Sequence, residues 1–156
     1  MGRHDEALAQ AESARALDPL APIIQTWIGL KHYFAKRYDA AIPEYLRALQ
    51  LAGDFAPAHW HLSWAYEQAG QFDEGIAAAK RAGALDSGSL LYPTSLAHTY
   101  AKAGKHAEAR ATLTRVMREA PKRHVSAYHV AVVHIALGDV NAGLDWLERA
   151  LAEKSP

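Results

Sequence analysis

Small and apolar residues recur along the chain at a constant spacing of 34 positions. One slot always holds alanine or glycine, at Ala7, Ala41, Gly75, Ala109 and Gly143. A second slot holds Ala14, Ala48, Ala82, Val116 and Ala150, and a third holds Gly29, Ser63, Ala97 and Ala131. Large apolar residues keep the same step at Ile28, Leu62, Leu96 and Val130. Self-similarity at a fixed period in this range indicates a repeat protein, in which each unit buries its apolar face against its neighbours.

Each period contains two stretches of helical apolar spacing, separated by a short polar turn. In the period 56–89, the pattern predicts a first helix over about residues 56–69 and a second over about 72–85. Asp73 and Glu74 lie in the first turn of the second helix, where negative charge complements the helix dipole. Applied to the whole chain, the pattern predicts nine helices arranged in antiparallel pairs.

The predicted turns contain a glycine in most periods. These glycines are Gly2, Gly70, Gly104 and Gly138, and Lys36 stands at the remaining step. Glycine in this position takes the positive φ that ends a helix at low cost. Two prolines depart from the pattern. Pro93 lies near a helix start, where a missing N–H costs little, whereas Pro43 lies further inside its helix, where we expect a kink.

Together these marks resemble the tetratricopeptide repeat (TPR). The best instances of its two helices are Ile28-Gly29 and Leu96-Ala97 for the first, and residues 38–42 and 146–151 for the second. The resemblance covers essentially the whole chain and implies an all-α solenoid, a right-handed superhelix with a concave and a convex face. It divides the chain, as a single array, into a half repeat with only the second helix at 2–21 and repeats at 22–55, 56–89, 90–123 and 124–156, the last without a C-terminal capping helix.

Solenoids generally need a polar capping element at each end. Because this chain begins at a turn and ends at Glu153-Lys154-Ser155-Pro156, we expect it to be a piece of a longer protein. The segments 125–139 and 144–148 resemble arrays in the C-terminal regions of bacterial signalling proteins, attached to winged-helix regulators, kinases or nucleotide cyclases. That resemblance implies a regulatory role in a larger chain.

Composition and charge limit the classes of function and of partner that we expect. The chain has 17 basic and 17 acidic residues, so it offers no general field for nucleic acid or an anionic membrane. The absence of cysteine excludes a disulfide framework and thiolate metal sites. No apolar run approaches the length of a membrane span, and the first six residues lack the apolar stretch of a signal peptide. We therefore expect a cytoplasmic protein.

The resemblance implies that the first helix of each unit lines the concave groove. The predicted partner-binding residues of that groove are Trp27, Leu30, Tyr33, Phe34, Trp60, His61, Trp64, Gln68, Thr94, His98, Tyr128 and His129. Trp60 and Trp64 are one helical turn apart, so their rings share a face. Large rings with few rotatable bonds suit the anchoring of a protein segment, although the same rings could pack against neighbouring helices. Trp146 falls in a second helix, where packing is the expected role.

The family's carboxylate clamp, which grips a chaperone's C-terminal tail, is missing here, because the equivalent slots hold Thr26, Leu30, Trp60, His61, Trp64, Thr94 and His98. The expected ligand is therefore an apolar or aromatic-rich protein segment. Two alternatives remain open. One is a self-assembling scaffold, including a homodimer, joined through its uncapped ends or its groove. The other is small-ligand sensing in the aromatic half of the groove.

Catalysis, metal binding and nucleic-acid binding are not expected. None of the nine histidines forms the i, i+4 pair of a helical metal site, and His61 with His98 is the best pair across helices. We expect no cofactor. The chain has no phosphate loop and no nucleophile motif. A local basic concentration at Lys102, Lys105, Arg110, Arg115, Arg118, Lys122 and Arg123 is interrupted by Glu108 and Glu119.

Overall fold

A computed structural model describes residues 3–154 of the chain, all of whose regular elements are α-helices. The helices are α1 (Arg3–Leu17), α2 (Pro22–Phe34), α3 (Tyr38–Leu51), α4 (Ala56–Gln68), α5 (Phe72–Leu85), α6 (Leu91–Lys102), α7 (His106–Glu119), α8 (Ala127–Ala136) and α9 (Val140–Lys154). The nine helices within these residues confirm the prediction, and α4 and α5 begin and end within one residue of their predicted limits. The fold class is the predicted all-α helical repeat.

The four turns inside the helix pairs have one backbone conformation. Gly70, Gly104 and Gly138 have φ values of 76°, 74° and 82°, and Lys36 has a φ of 59°. At Lys36 the N–H donates to the carbonyl of Tyr33, and the next N–H donates to the carbonyl of His32, which is the pattern of the glycine turns. Lysine therefore adopts here a conformation that favours glycine. The predicted turn at Gly2 lies outside the described residues.

Pro93 and Pro43, the two prolines inside predicted helices, both lie within helices of the structure. Pro93 is the third residue of α6, among the N–H positions that have no partner within the helix. Pro43 is the sixth residue of α3, which continues through it to Leu51. The N–H that Pro43 lacks would have donated to the carbonyl of Asp39.

Helix contacts divide the chain into an N-terminal unit that ends at Leu85 and a C-terminal unit that begins at Asp86. In the N-terminal unit, α1 packs on α2, α2 on α3, α3 on α4, and α4 on α5, while α2 also contacts α4. Its core contains the buried residues Ala41, Tyr45, Leu62, Ala65 and Ala78. The small residues Ser63, Gly75 and Ala82 are buried, as the close approach of helices requires.

In the C-terminal unit, α6 packs on α7 and α8, and α8 packs on α9. Its core contains Ala97, Ala101, Ala109, Leu113, Val130, Val133 and Leu137, and Trp146 packs against it from α9. The packing role predicted for Trp146 is thereby confirmed. Its ring also lies 4.6 Å below the guanidinium carbon of Arg149, within cation–π range.

Candidate partner-binding surface

Aromatic rings from α2 and α4 form a connected group in the N-terminal unit, which we call the aromatic surface. Its members are Tyr33 and Phe34 on α2 and Trp60, His61 and Trp64 on α4. The ring centroids of Trp60 and Trp64 are 4.4 Å apart in an edge-on arrangement. Tyr33 links the two helices, because its ring centroid lies 6.1 Å from that of Trp64 and 5.7 Å from that of Phe34.

Exposure increases towards one edge of the aromatic surface. Phe34 is 59% exposed, whereas Tyr33, Trp60 and Trp64 are half-buried. Half-buried rings are held by their neighbours and still present area to solvent, so little conformational entropy is lost when a partner covers them.

Two tyrosines that the sequence analysis did not assign to this surface belong to the same ring group. Tyr38 at the start of α3 lies 5.5 Å from Tyr33, and Tyr45 stacks on His61 at 5.9 Å with an angle of 17° between the ring planes. Both tyrosines are on a second helix, while the prediction considered only first helices. The position of each tyrosine within the 34-residue repeat can be read from the sequence. The contacts between the rings, however, depend on how the helices pack against one another.

His61 is a neutral imidazole at physiological pH. Burial lowers its pKa from 6.5 to about 4, because a charged ring would lose its hydration among the surrounding aromatic rings. Its ring centroid lies 4.7 Å from that of Trp60 and 5.4 Å from that of Trp64. A neutral histidine at this position adds no charge to the aromatic surface.

The other predicted residues of α2 and α4 lie beside this group. Trp27 is 51% exposed and, with Leu30, lines a cleft of about 380 Å³ between α1 and α2. Gln68 is exposed at the end of α4, and its amide approaches the carboxylate of Glu67 at 3.5 Å. The N-terminal unit therefore brings eight of the predicted residues onto two adjacent helices, α2 and α4.

The predicted residues of the C-terminal unit form a smaller set. Tyr128 is 52% exposed and meets His129 edge-on at 5.5 Å. Burial, and then the nearby His98, lower the pKa of His129. Thr94 requires a correction. It is fully buried and its hydroxyl donates to the carbonyl of Leu90 at 2.6 Å, so its side chain does not reach a partner.

Arg110 and Arg123, which belong to the basic concentration in the C-terminal unit, make internal contacts. Arg110 donates two hydrogen bonds to the carboxylate of Asp139, at 2.6 and 3.0 Å, and the pKa of Asp139 is lowered mainly by this pairing. Arg123 donates to Glu119 and to the carbonyls of Ser87 and Gly88. Arginines that are paired in this way are less available to phosphate groups.

Among the side chains that the structure describes, no three from histidine, aspartate or glutamate are grouped closely enough to hold a metal ion. No helix of this part of the chain is both long and apolar enough to cross a bilayer. What these residues do provide is a ring-lined surface and a cleft, which suit recognition of another molecule by contact.

Comparison with solved structures identifies similar folds. A thermophilic TPR protein of Thermus thermophilus has a TM-score of 0.78 and 18% identity, over 98% of this chain and 84% of that one. MamA has a TM-score of 0.67 and 18% identity, over 97% of this chain and 88% of that one. YrrB, described as a TPR protein with an unusual peptide-binding site, has a TM-score of 0.62 and 18% identity, over 97% of this chain and 78% of that one. At these identities the likeness establishes the fold alone.

Sequence comparison identifies the family. No curated protein matches the chain significantly. The sequence model of the tetratricopeptide repeat, in contrast, matches residues 1–57, 32–89 and 94–156. Stacked helical repeats of this kind build extended surfaces for binding other proteins. The period of 34 residues, the paired helices and this match agree, and the chain belongs to the tetratricopeptide repeat family.

Proposed function

We propose that this chain is a non-catalytic interaction module that binds an apolar or aromatic-rich segment of another protein on the aromatic surface. The observation that carries the proposal is the ring group itself, which runs from exposed Phe34 through Tyr33 to the contacting pair Trp64 and Trp60. Tryptophan and tyrosine dominate the energetics of protein interfaces, because they bury large areas with few rotatable bonds.

The chemistry of the surface supports an uncharged ligand. His61 is neutral, and the other four members of the aromatic surface carry no charge at physiological pH. A C-terminal carboxylate would find no cation among these five residues, so a chaperone tail is a poor ligand. We further propose that the module works in the cytoplasm as part of a larger regulatory protein, as the resemblance to arrays of bacterial signalling proteins implies.

A peptide array tests the proposal. Synthetic peptides that vary in aromatic content and in terminal charge are titrated against the protein, with tryptophan fluorescence and calorimetry as readouts. We expect aromatic-rich peptides to bind, and Phe34→Ser to weaken that binding by at least about tenfold. Leu46→Ser is the matched control, because Leu46 is 40% exposed on α3 and lies outside the aromatic surface.

A second variant examines the tryptophan pair. Trp60→Ala combined with Trp64→Ala should abolish peptide binding while the helical content is kept, and the melting temperature should fall because both rings are half-buried against their neighbours. If the double variant unfolds, these rings are core and the surface is wrongly assigned. If Phe34→Ser binds aromatic peptides as well as the Leu46→Ser control does, the ligand binds elsewhere.

A further inference from the structure

The turn between α2 and α3 keeps a side chain where the other turns inside the helix pairs have glycine. Lys36 has a φ of 59°, and the residues at the same step in the later repeats are Gly70, Gly104 and Gly138. A lysine is less stable in this conformation than a glycine. Residues other than glycine that are held in such conformations are concentrated at functional sites, so this cost indicates a role for the Lys36 side chain beyond the stability of the fold.

The α2–α3 turn lies at the exposed edge of the aromatic surface. Phe34, the most exposed member of that surface, ends α2 two positions before Lys36, and Tyr38 begins α3 two positions after it. The rings of Phe34 and Tyr38 both contact the ring of Tyr33, at centroid distances of 5.7 and 5.5 Å. The N–H of Lys36 donates to the carbonyl of Tyr33 at 2.9 Å. The turn is therefore enclosed by rings of one group.

Two cations extend this edge beyond the rings. Lys36 and its neighbour Arg37 are both exposed. Neither forms an ion pair with a carboxylate whose side chain the structure describes. Asp39 is also exposed, but it lies in the first turn of α3, where the helix dipole favours its charge. The edge therefore carries two cations and one carboxylate beside an uncharged ring group.

The exposure of this edge is that of an internal turn. The two helices that it joins, α2 and α3, pack on each other, and α2 also contacts α4 of the next repeat. The corresponding residues of that next repeat, Gln68, Gly70 and Gln71, are exposed as well. What distinguishes the α2–α3 turn is its chemistry, because it has a phenylalanine and two cations where the next turn has two amides and a glycine.

We propose that the segment bound on the aromatic surface carries an aspartate or glutamate beside its aromatic residues, and that Lys36, together with Arg37, binds this carboxylate. The inference rests on the proposed function and names its partner more closely, as an acidic–aromatic segment. The aromatic part covers the uncharged rings, and the carboxylate lies beyond Phe34. Complementary charges at the rim of an interface raise the association rate and fix the register of the bound segment.

Blocked peptides test the inference, because an acetylated N-terminus and an amidated C-terminus leave only side chains to carry charge. The peptides share one stretch of tryptophan, phenylalanine and leucine and differ in one flanking residue, glutamate or glutamine. Each is made with that residue on either side of the stretch, and the effect is expected for one side. Calorimetry at low ionic strength should show about three- to fivefold tighter binding of the glutamate peptide. High salt should remove most of this preference, because it screens exposed charges.

Variants of Lys36 separate binding from stability. Lys36→Gly should lose most of the preference for the glutamate peptide while its melting temperature rises. Lys36→Met keeps a Cβ in the same conformation without the charge, so it should lose the preference and gain no stability. Lys36→Glu should prefer a peptide with a flanking lysine. Arg81→Gln is the matched control and should keep the preference, because Arg81 is exposed on α5, which carries no member of the aromatic surface.

The outcomes distinguish this inference from the proposed function. Equal affinity for the glutamate and glutamine peptides, or a preference that survives in Lys36→Gly and Lys36→Met, would overturn the inference and leave the proposed function standing. Loss of both affinities in the same proportion would also overturn it, because Lys36 would then support the surface rather than bind a charge. If none of the peptides binds the unchanged protein, the proposed function fails and the inference fails with it.

Discussion

Gly29 of α2 lies directly against the ring of Tyr45 of α3. A Cβ at position 29 would lie 2.6 Å from Tyr45 Cε1 and 2.8 Å from Cδ1, distances that side chains do not tolerate. Tyr45 is fully buried and stacks on His61, so it has little room to move. The absence of a side chain at Gly29 thus lets α2 and α3 approach each other closely, and the aromatic surface depends on this approach.

Gly29→Ala should therefore lower the free energy of unfolding by about 1–3 kcal/mol, the usual cost of overpacking a core. Urea denaturation followed by circular dichroism measures it. Gly53→Ala is the matched control, because its Cβ would meet only the carbonyl oxygen of Leu49 at 3.6 Å. If the two variants had the same free energy of unfolding, α2 and α3 would be able to move apart without a loss of stability.

Lys36→Gly should stabilise the protein by about 0.5–1 kcal/mol. Lysine at a φ of 59° bears a steric cost that glycine does not, and three other turns already use glycine. Thermal melting is the measurement. Lys36→Ala keeps a Cβ in the same conformation and should give no gain, so a similar gain from alanine would contradict the backbone explanation.

Pro43→Ala should raise the free energy of unfolding by about 1–3 kcal/mol, because it restores a donor to the carbonyl of Asp39 inside α3. Pro93→Ala restores an N–H at the third position of α6, where no partner within the helix exists, and should be near neutral. Chemical denaturation of both variants separates the two effects. A loss of stability in Pro43→Ala would mean that packing requires the proline.

The pKa of His61 predicts a loss of stability in acid. The unfolded chain binds a proton at this residue near pH 6.5, whereas the folded protein binds it only near pH 4. The unfolded state therefore holds more protons between these values, and stability falls by roughly 2–4 kcal/mol as the pH drops from 6.5 to 4.

Melting curves of His61→Phe over that range should show a weaker pH dependence than the unchanged protein. The fluorescence of Trp60 and Trp64, which contact the ring, provides a local readout. His124→Phe, at an exposed position, serves as the control. An unchanged slope in His61→Phe would show that other groups govern acid unfolding.

The sequence by itself determined the helices, their order and their turns, because these depend on local spacing of apolar residues and on glycine. The limits of α4 and α5 and the turns at Gly70, Gly104 and Gly138 follow from that spacing alone. The small residues Ser63 and Ala82, which occupy slots that recur in other units, are buried.

Tertiary structure decided which of the predicted side chains are exposed and which are buried. Thr94 and Phe34 were predicted for one groove, yet Thr94 is fully buried and Phe34 is 59% exposed. The spacing of residues along the sequence assigns each side chain to one face of its helix. Which part of that face is covered by a neighbouring helix, and which part is exposed to solvent, depends on how the helices pack. Tyr45 joined the aromatic group through a contact between α3 and α4 that no local pattern encodes.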